Sequence, residues 1–147
     1  LLNVKLEILE KYTVPYIPLG HAIGRIGCLL AGCCHGFEYD GALAVKNTLI
    51  NAGQTYFPIQ IVEVLINILI MLFLFAYRKK QPPKYFILYY YLIMYSIMRF
   101  ILEFFRGDEI RGGFMTFSTS QWISIFIFSV CVAKKYLFFK KRQSKRS

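Results

Sequence analysis

A chain of 147 residues with 56% hydrophobic and 18% aromatic side chains, and a mean hydropathy of +0.46, carries more apolar surface than one small core can hide. That excludes an ordinary water-soluble domain and makes an integral membrane protein the working class. The formal charge of +10 does not indicate nucleic acid, because the basic residues flank apolar runs: Arg78, Lys79, Lys80 and Lys84 fill one connection, and Lys134, Lys135, Lys140, Lys141, Arg142, Lys145 and Arg146 fill the C-terminal part.

Residues 1–11 mix apolar and charged side chains without a strong period and are expected at the cytoplasmic surface. The chain opens at Leu1 rather than methionine, so a fragment, or a start missed upstream, is expected. From Tyr12 the chain turns apolar, and Pro15 and Pro18 predict a broken or irregular start to a span over about 15–34.

Within that span lies LGHAIGRIGCLLAGCCHGF, residues 19–37, which sets an arginine, two histidines and three cysteines among glycines. Ionisable groups in such surroundings are costly to bury and mark a functional site by default. Gly20, Gly24, Cys28, Gly32 and Gly36 recur every fourth residue; on a helix they form a strip of small groups that predicts close approach of a neighbouring helix. His21, Arg25, Cys28, Gly32 and His35 share the adjacent face if the helix continues that far.

Residues 37–57 carry Glu38, Asp40 and Lys46, with Gly41 and Gly53 as breakers, and lack a basic cluster; a loop folding over the outer membrane surface is expected. Residues 59–77 form a run of 19 with a single charge, close to the roughly 20 needed to cross a bilayer. Gln60, Glu63 and Asn67 share one face of it. Residues 85–105 form a second span, along which Tyr95, Arg99, Glu103 and Arg106 recur at helical spacing. A third clear span covers about 121–139, preceded by Thr116, Ser118, Thr119 and Ser120, all able to cap a helix.

The expected fold is therefore all-α: a polytopic helical bundle of three clear spans plus one glycine-rich, irregular segment. Residues 1–139 form one membrane domain and 140–147 a basic cytoplasmic tail without fixed structure. Placing the basic clusters inside puts 107–120, with Asp108, Glu109 and Arg111, outside. Glu63, Arg99, Glu103 and Gln121 then fall in the outer half of the membrane, and Arg25 and the cysteines approach the same level.

Two or three arginines in a polar pocket suit an anion, most simply a phosphate, because the guanidinium fork matches its oxygens. In a membrane the available phosphates are lipid head groups. Against this stands a structural Arg99–Glu103 ion pair with Arg106 snorkelling to the interface. Arg25 has no carboxylate at helical spacing in its own segment, which makes it the more informative arginine. His21 and His35 suit a general base or acid as well as hydrogen-bonded packing. Gln60 and Glu63 read as a pocket wall or as interface groups.

Cys28, Cys33, Cys34 and His35 contain enough donors for zinc or another soft metal, but adjacent Cys33 and Cys34 do not match a C-x2-C pair. Plain packing is preferred to either a metal or a disulfide, and no metal or other cofactor is expected.

These motifs, in this order over about residues 20–128, resemble those of the prolipoprotein diacylglyceryl transferase family. The resemblance rests on Gly24-Arg25-Ile26-Gly27 followed by Gly32 and Gly36; on Pro58, Gln60 and Glu63; on Arg99, Phe100, Glu103, Phe104, Phe105 and Arg106; and on Ser118 or Ser120 with Gln121. It implies a multi-pass enzyme of the bacterial inner membrane that moves the diacylglyceryl group of phosphatidylglycerol onto the lipobox cysteine thiol of a prolipoprotein. Glycerol phosphate is released and no metal takes part.

On that resemblance Arg25 and Arg99 hold the phosphate, Tyr95 and Glu103 support Arg99, and Gln60, Glu63, Gly24, Gly27, Gly32, Arg106 and Gln121 line the substrate site. A base must generate the thiolate. The histidine the family uses lies in N-terminal spans absent from this chain, leaving His21 or His35 as local substitutes. The family usually carries asparagine where Cys28 stands and glutamate where Cys33 stands. The alternatives are a non-catalytic lipid-binding relative of the same fold and, more weakly, a membrane thiol or metal protein.

Overall fold

The computed structural model describes residues 2–46, 54–107, 113–114 and 117–144. Among these residues five α-helices are found: α1 (Leu2–Thr13), α2 (Ile17–Leu30), α3 (Ile59–Arg78), α4 (Phe86–Leu102) and α5 (Thr119–Ser144). Three stretches, Ile59–Arg78, Phe86–Phe105 and Thr119–Phe138, are long and apolar enough to cross a membrane. Their large side chains point outward in numbers, Leu65, Leu69, Leu72, Ile101, Phe126 and Leu137 among them, a surface suited to lipid rather than water.

The prolines act where expected. Pro15 opens a 3-10 turn, Val14–Tyr16, and Pro18 falls in the first turn of α2, where a missing N–H costs nothing. Both are buried, so the irregular start is a packed feature.

Three segments depart from, or add to, the expected elements. Residues 2–13 form a helix despite their weak periodicity, and tertiary contact explains it. The Glu10 carboxylate accepts the backbone N–H groups of Tyr85 (2.8 Å) and Leu88 (3.2 Å), satisfying donors at the start of α4, where an anion also complements the helix dipole. Second, α2 stops at Leu30 rather than 34: Ala31 donates back to Gly27, and Gly32 takes the left-handed conformation (φ 65°) that ends a helix. Third, α5 continues through Ser144, past the point where a tail without structure was expected. Residues 145–147 lie outside the described residues, as do Gly53, Asp108, Glu109, Arg111 and Thr116 of the expected outer loops.

α2 packs along α3, and α4 along both α3 and α5. The core between them is built from Val14, Ile59, Ile70, Leu74, Ile87, Tyr91, Met98 and Leu102. The loops at one end add two short antiparallel ladders, β1 (Val45–Lys46) with β2 (Thr55–Tyr56), and β3 (Gly113–Phe114) with β4 (Phe117–Ser118).

The segment after α2 is pinned to the end of α4 and the start of α3. Gly36 donates to Phe57, Phe37 donates to Phe105, and Gly107 donates to His35. This is the close backbone approach in the fold: a Cβ at Gly36 would sit 2.7 Å from the Phe57 carbonyl, and one at Gly107 would sit 2.4 Å from that of Gly36. On α2 itself the expected close-packing strip is not observed. A Cβ at Gly20, Gly24 or Gly27 would meet nothing within 4 Å.

Candidate active site

The polar groups scattered through the sequence meet in one chain of ion pairs. Arg25 reaches from α2 to α3, its Nε 2.8 Å from Oε2 of Glu63. Arg99 on α4 approaches the same carboxylate from the other side, Nη1 to Oε1 at 3.4 Å, and pairs through Nη2 with Glu103 Oε2 at 3.0 Å. Glu63 is 1% exposed and Arg99 only 12%. Such a buried carboxylate is tolerable only because two guanidinium groups hold it.

From α5, Ser120 Oγ accepts a hydrogen bond from Arg99 Nη2 at 3.2 Å, and just before that helix the Ser118 hydroxyl donates to Glu103 Oε1 at 2.9 Å. Arg106, just beyond α4, lies beside the Cys34 thiol. Burial acts to raise that thiol, but Arg106, by hydrogen bond and charge, together with hydrogen bonds from Cys33 and Cys28, holds Cys34 below the ordinary cysteine value. Three arginines against two glutamates leave the group with one positive charge to spare.

A cavity of about 270 Å³ borders this chain, lined by Gly20, His21, Gly24, Arg25, Cys28, Glu63, Asn67, Tyr95 and Met98. The missing side chains of Gly20 and Gly24 thus leave room for a ligand. His21 closes one side: its ring lies 4.8 Å from that of Tyr95, and its Nδ1 is 3.3 Å from the Tyr91 hydroxyl. Arg25, a histidine and an apolar wall around such a volume, with Arg99 behind Glu63, can bind an anion and accept a proton beside it.

The other residues singled out from the sequence stand elsewhere. His35 stacks on Tyr56 at 4.1 Å, its Nδ1 lies 3.0 Å from the Gly36 carbonyl, and it lines a separate, smaller cleft of about 70 Å³ with Gly32 and Gln60. Helix α2 ends five residues before it, so the shared face with His21 is lost. Gln60 is buried and donates to the Cys33 carbonyl at 2.8 Å, fixing the turn after α2. Gly27 borders open space, and it is not among the residues lining the cavity.

Gln121 closes a capping box at the start of α5. The Ser118 N–H donates to Gln121 Oε1 (2.9 Å) and the Gln121 N–H to Ser118 Oγ (3.3 Å), so the serine–glutamine motif orients the hydroxyl that holds Glu103.

Asn67 belongs to the site although the sequence offered it only as a face-mate of Glu63. Fully buried, it donates from Nδ2 to the Glu63 carbonyl at 2.8 Å and lines the cavity. Nothing in its local sequence distinguishes Tyr91; its role depends on its contact with His21 across the bundle.

Fold and cluster together define a multi-pass helical membrane protein with a buried, arginine-rich polar centre. Comparison with known proteins supplies the family: the model of "Prolipoprotein diacylglyceryl transferase" matches residues 4–136, and the chain belongs to that family. Among its relatives, the phosphatidylglycerol–prolipoprotein diacylglyceryl transferase 2 of Clostridium perfringens is 41% identical over 131 residues, covering 86% of this chain and 51% of the relative. The corresponding Clostridium tetani transferase is 36% identical over 116 residues, covering 77% and 46%. One from Dehalococcoides mccartyi is 31% identical, covering 99% and 56%. The chain thus spans about half the length of the curated relatives it matches. No solved structure matches it.

Proposed function

We propose that this chain carries the phosphate-binding half of a phosphatidylglycerol–prolipoprotein diacylglyceryl transferase. The observation that carries the reading is the Arg25–Glu63–Arg99–Glu103 chain, which with Arg106 carries one positive charge in surplus and sets Arg25 and Glu63 on the wall of a cavity opened by glycines.

In the proposed reaction the thiolate sulfur of the lipobox cysteine attacks the glyceryl carbon that bears the phosphate. The carbon–sulfur bond forms as the carbon–oxygen bond breaks, and the bonding pair leaves on glycerol phosphate. Arg25 and Arg99, preset by Glu63 and Glu103, stabilise the charge that develops on the departing oxygen. His21 is the group in the cavity able to accept the thiol proton at neutral pH. The Tyr95 ring packs at a tilt against the imidazole, and Asn67 steadies the Glu63 helix turn.

The basic clusters at Arg78–Lys84 and at the end of α5 favour a cytoplasmic C-terminus, and so a site towards the outer leaflet.

The test is transfer of labelled diacylglyceryl from phosphatidylglycerol vesicles to a lipobox peptide, using the full-length polypeptide that contains this chain. Arg25→Ala is expected to lower the rate by about 10²–10³-fold, the usual cost of removing one preset charge-stabilising donor. An unchanged rate would overturn the assignment.

A further inference from the structure

Three thiols stand together at the end of α2 and have no part in the chemistry above. The sulfurs of Cys28, Cys33 and Cys34 all lie within 4.8 Å of one another, and no disulfide joins them. Their sequence spacing alone gives no metal motif. The fold supplies the match: Gly32 (φ 65°) and Cys34 (φ 58°) both take the left-handed conformation, which turns the chain back over the last turn of α2 and returns Cys33 and Cys34 to Cys28.

A non-glycine residue in that conformation is strained, so the turn must be held from outside. It is: the Cys33 N–H donates to the Cys28 carbonyl at 3.1 Å, Gln60 donates to the Cys33 carbonyl at 2.8 Å, and Gly36 is tied to Phe57.

We propose that Cys28, Cys33 and Cys34 form a binding site for one thiophilic d10 cation, Zn2+ or Cu+. Bonds of about 2.3 Å to three sulfurs set the sulfurs about 3.8–4.0 Å apart, so side-chain rotations of less than about 1 Å close the cluster on the ion. Three thiolates around either cation form an anionic complex, and its charge meets Arg106 beside Cys34 and Arg25 one helical turn before Cys28. Oxidation to a disulfide would join two of the sulfurs and strand the third, whereas a metal uses all three. Cys28 also lines the Arg25 cavity, so an occupied site would fix one wall of it.

The test is metal titration of the purified chain under reducing conditions, with a chromophoric chelator as competitor, Zn2+ in one arm and Cu+ in the other. Wild type and Cys131→Ser, whose buried thiol lies on α5, are expected to take up one equivalent. Cys28→Ser, Cys33→Ser and Cys34→Ser are each expected to bind about 100-fold more weakly or worse. X-ray absorption separates the cations: three sulfurs plus one lighter atom around zinc, three sulfurs alone around copper.

Equal uptake by wild type and the triple serine variant would overturn the proposal, as would a cluster that holds a disulfide and no metal under the same conditions. Stoichiometry is read without lipid transfer, so failure here and failure of the transferase reading are distinguishable.

Discussion

Arg25 and Glu63 lie 38 positions apart in sequence, on different helices, yet place Nε and Oε2 2.8 Å apart. Each makes the other tolerable in an apolar bundle, and Arg99 shares the same carboxylate. Removing Glu63 leaves two guanidinium groups facing each other. Glu63→Ala is therefore expected to destabilise the protein by roughly 3–5 kcal/mol, the cost of breaking a buried pair by deleting one partner. Replacing the exposed Glu38 instead should change little. Thermal unfolding of both variants in one detergent checks this, and equal midpoints would contradict it.

The glycines separate two demands that look alike in sequence. Gly27→Ala adds a methyl into open space on a helix and should stabilise the protein by up to about 1 kcal/mol. Gly24→Ala projects into the cavity and should lower lipid transfer without lowering stability. Gly36→Ala, whose new Cβ would sit 2.7 Å from a backbone carbonyl, should destabilise strongly. Unfolding midpoints and transfer rates measured on the three variants decide the pattern.

At the start of α5, Ser118→Ala removes both the cap and the hydroxyl that holds Glu103. A cost of about 1 kcal/mol is expected from the cap alone. Gln121→Glu keeps an acceptor at the third helical position and should retain it, whereas Gln121→Ala should not. Faster amide hydrogen exchange in the first turn of α5 is the readout, and equal rates for glutamate and alanine would refute the capping role.

Glu10 makes a parallel prediction for the N-terminal end of α4. Glu10→Ala leaves the Tyr85 and Leu88 N–H groups without their acceptor and should cost about 1–3 kcal/mol. Exchange at those two amides should rise, while the ion pairs around Glu63 are untouched.

Much of this arrangement was legible in the sequence. The three apolar runs gave α3, α4 and α5 because length and composition decide a span, and the charge-bearing faces of Glu63 and Arg99 pointed to convergence because helical spacing is rigid. What was not legible depends on chain reversal and through-space contact. The glycine period suggested packing, yet a period reports only a face and not what the face meets; at Gly20 and Gly24 it meets a cavity. His35 was joined to His21 by a periodicity that Gly32 breaks. The helix over residues 2–13 has weak periodicity, and Glu10 on it is tied through Tyr85 to a helix more than 70 residues away.

The central claim is that Arg25 and Arg99 form the phosphate site of a lipid head group. It is tested most directly by native mass spectrometry of the protein released from nanodiscs containing equal phosphatidylglycerol and phosphatidylcholine. One retained phosphatidylglycerol is expected on wild type and on Gly27→Ala, and its loss from Arg25→Ala and Arg99→Ala. Retention of the same lipid, in the same amount, by both arginine variants would contradict it.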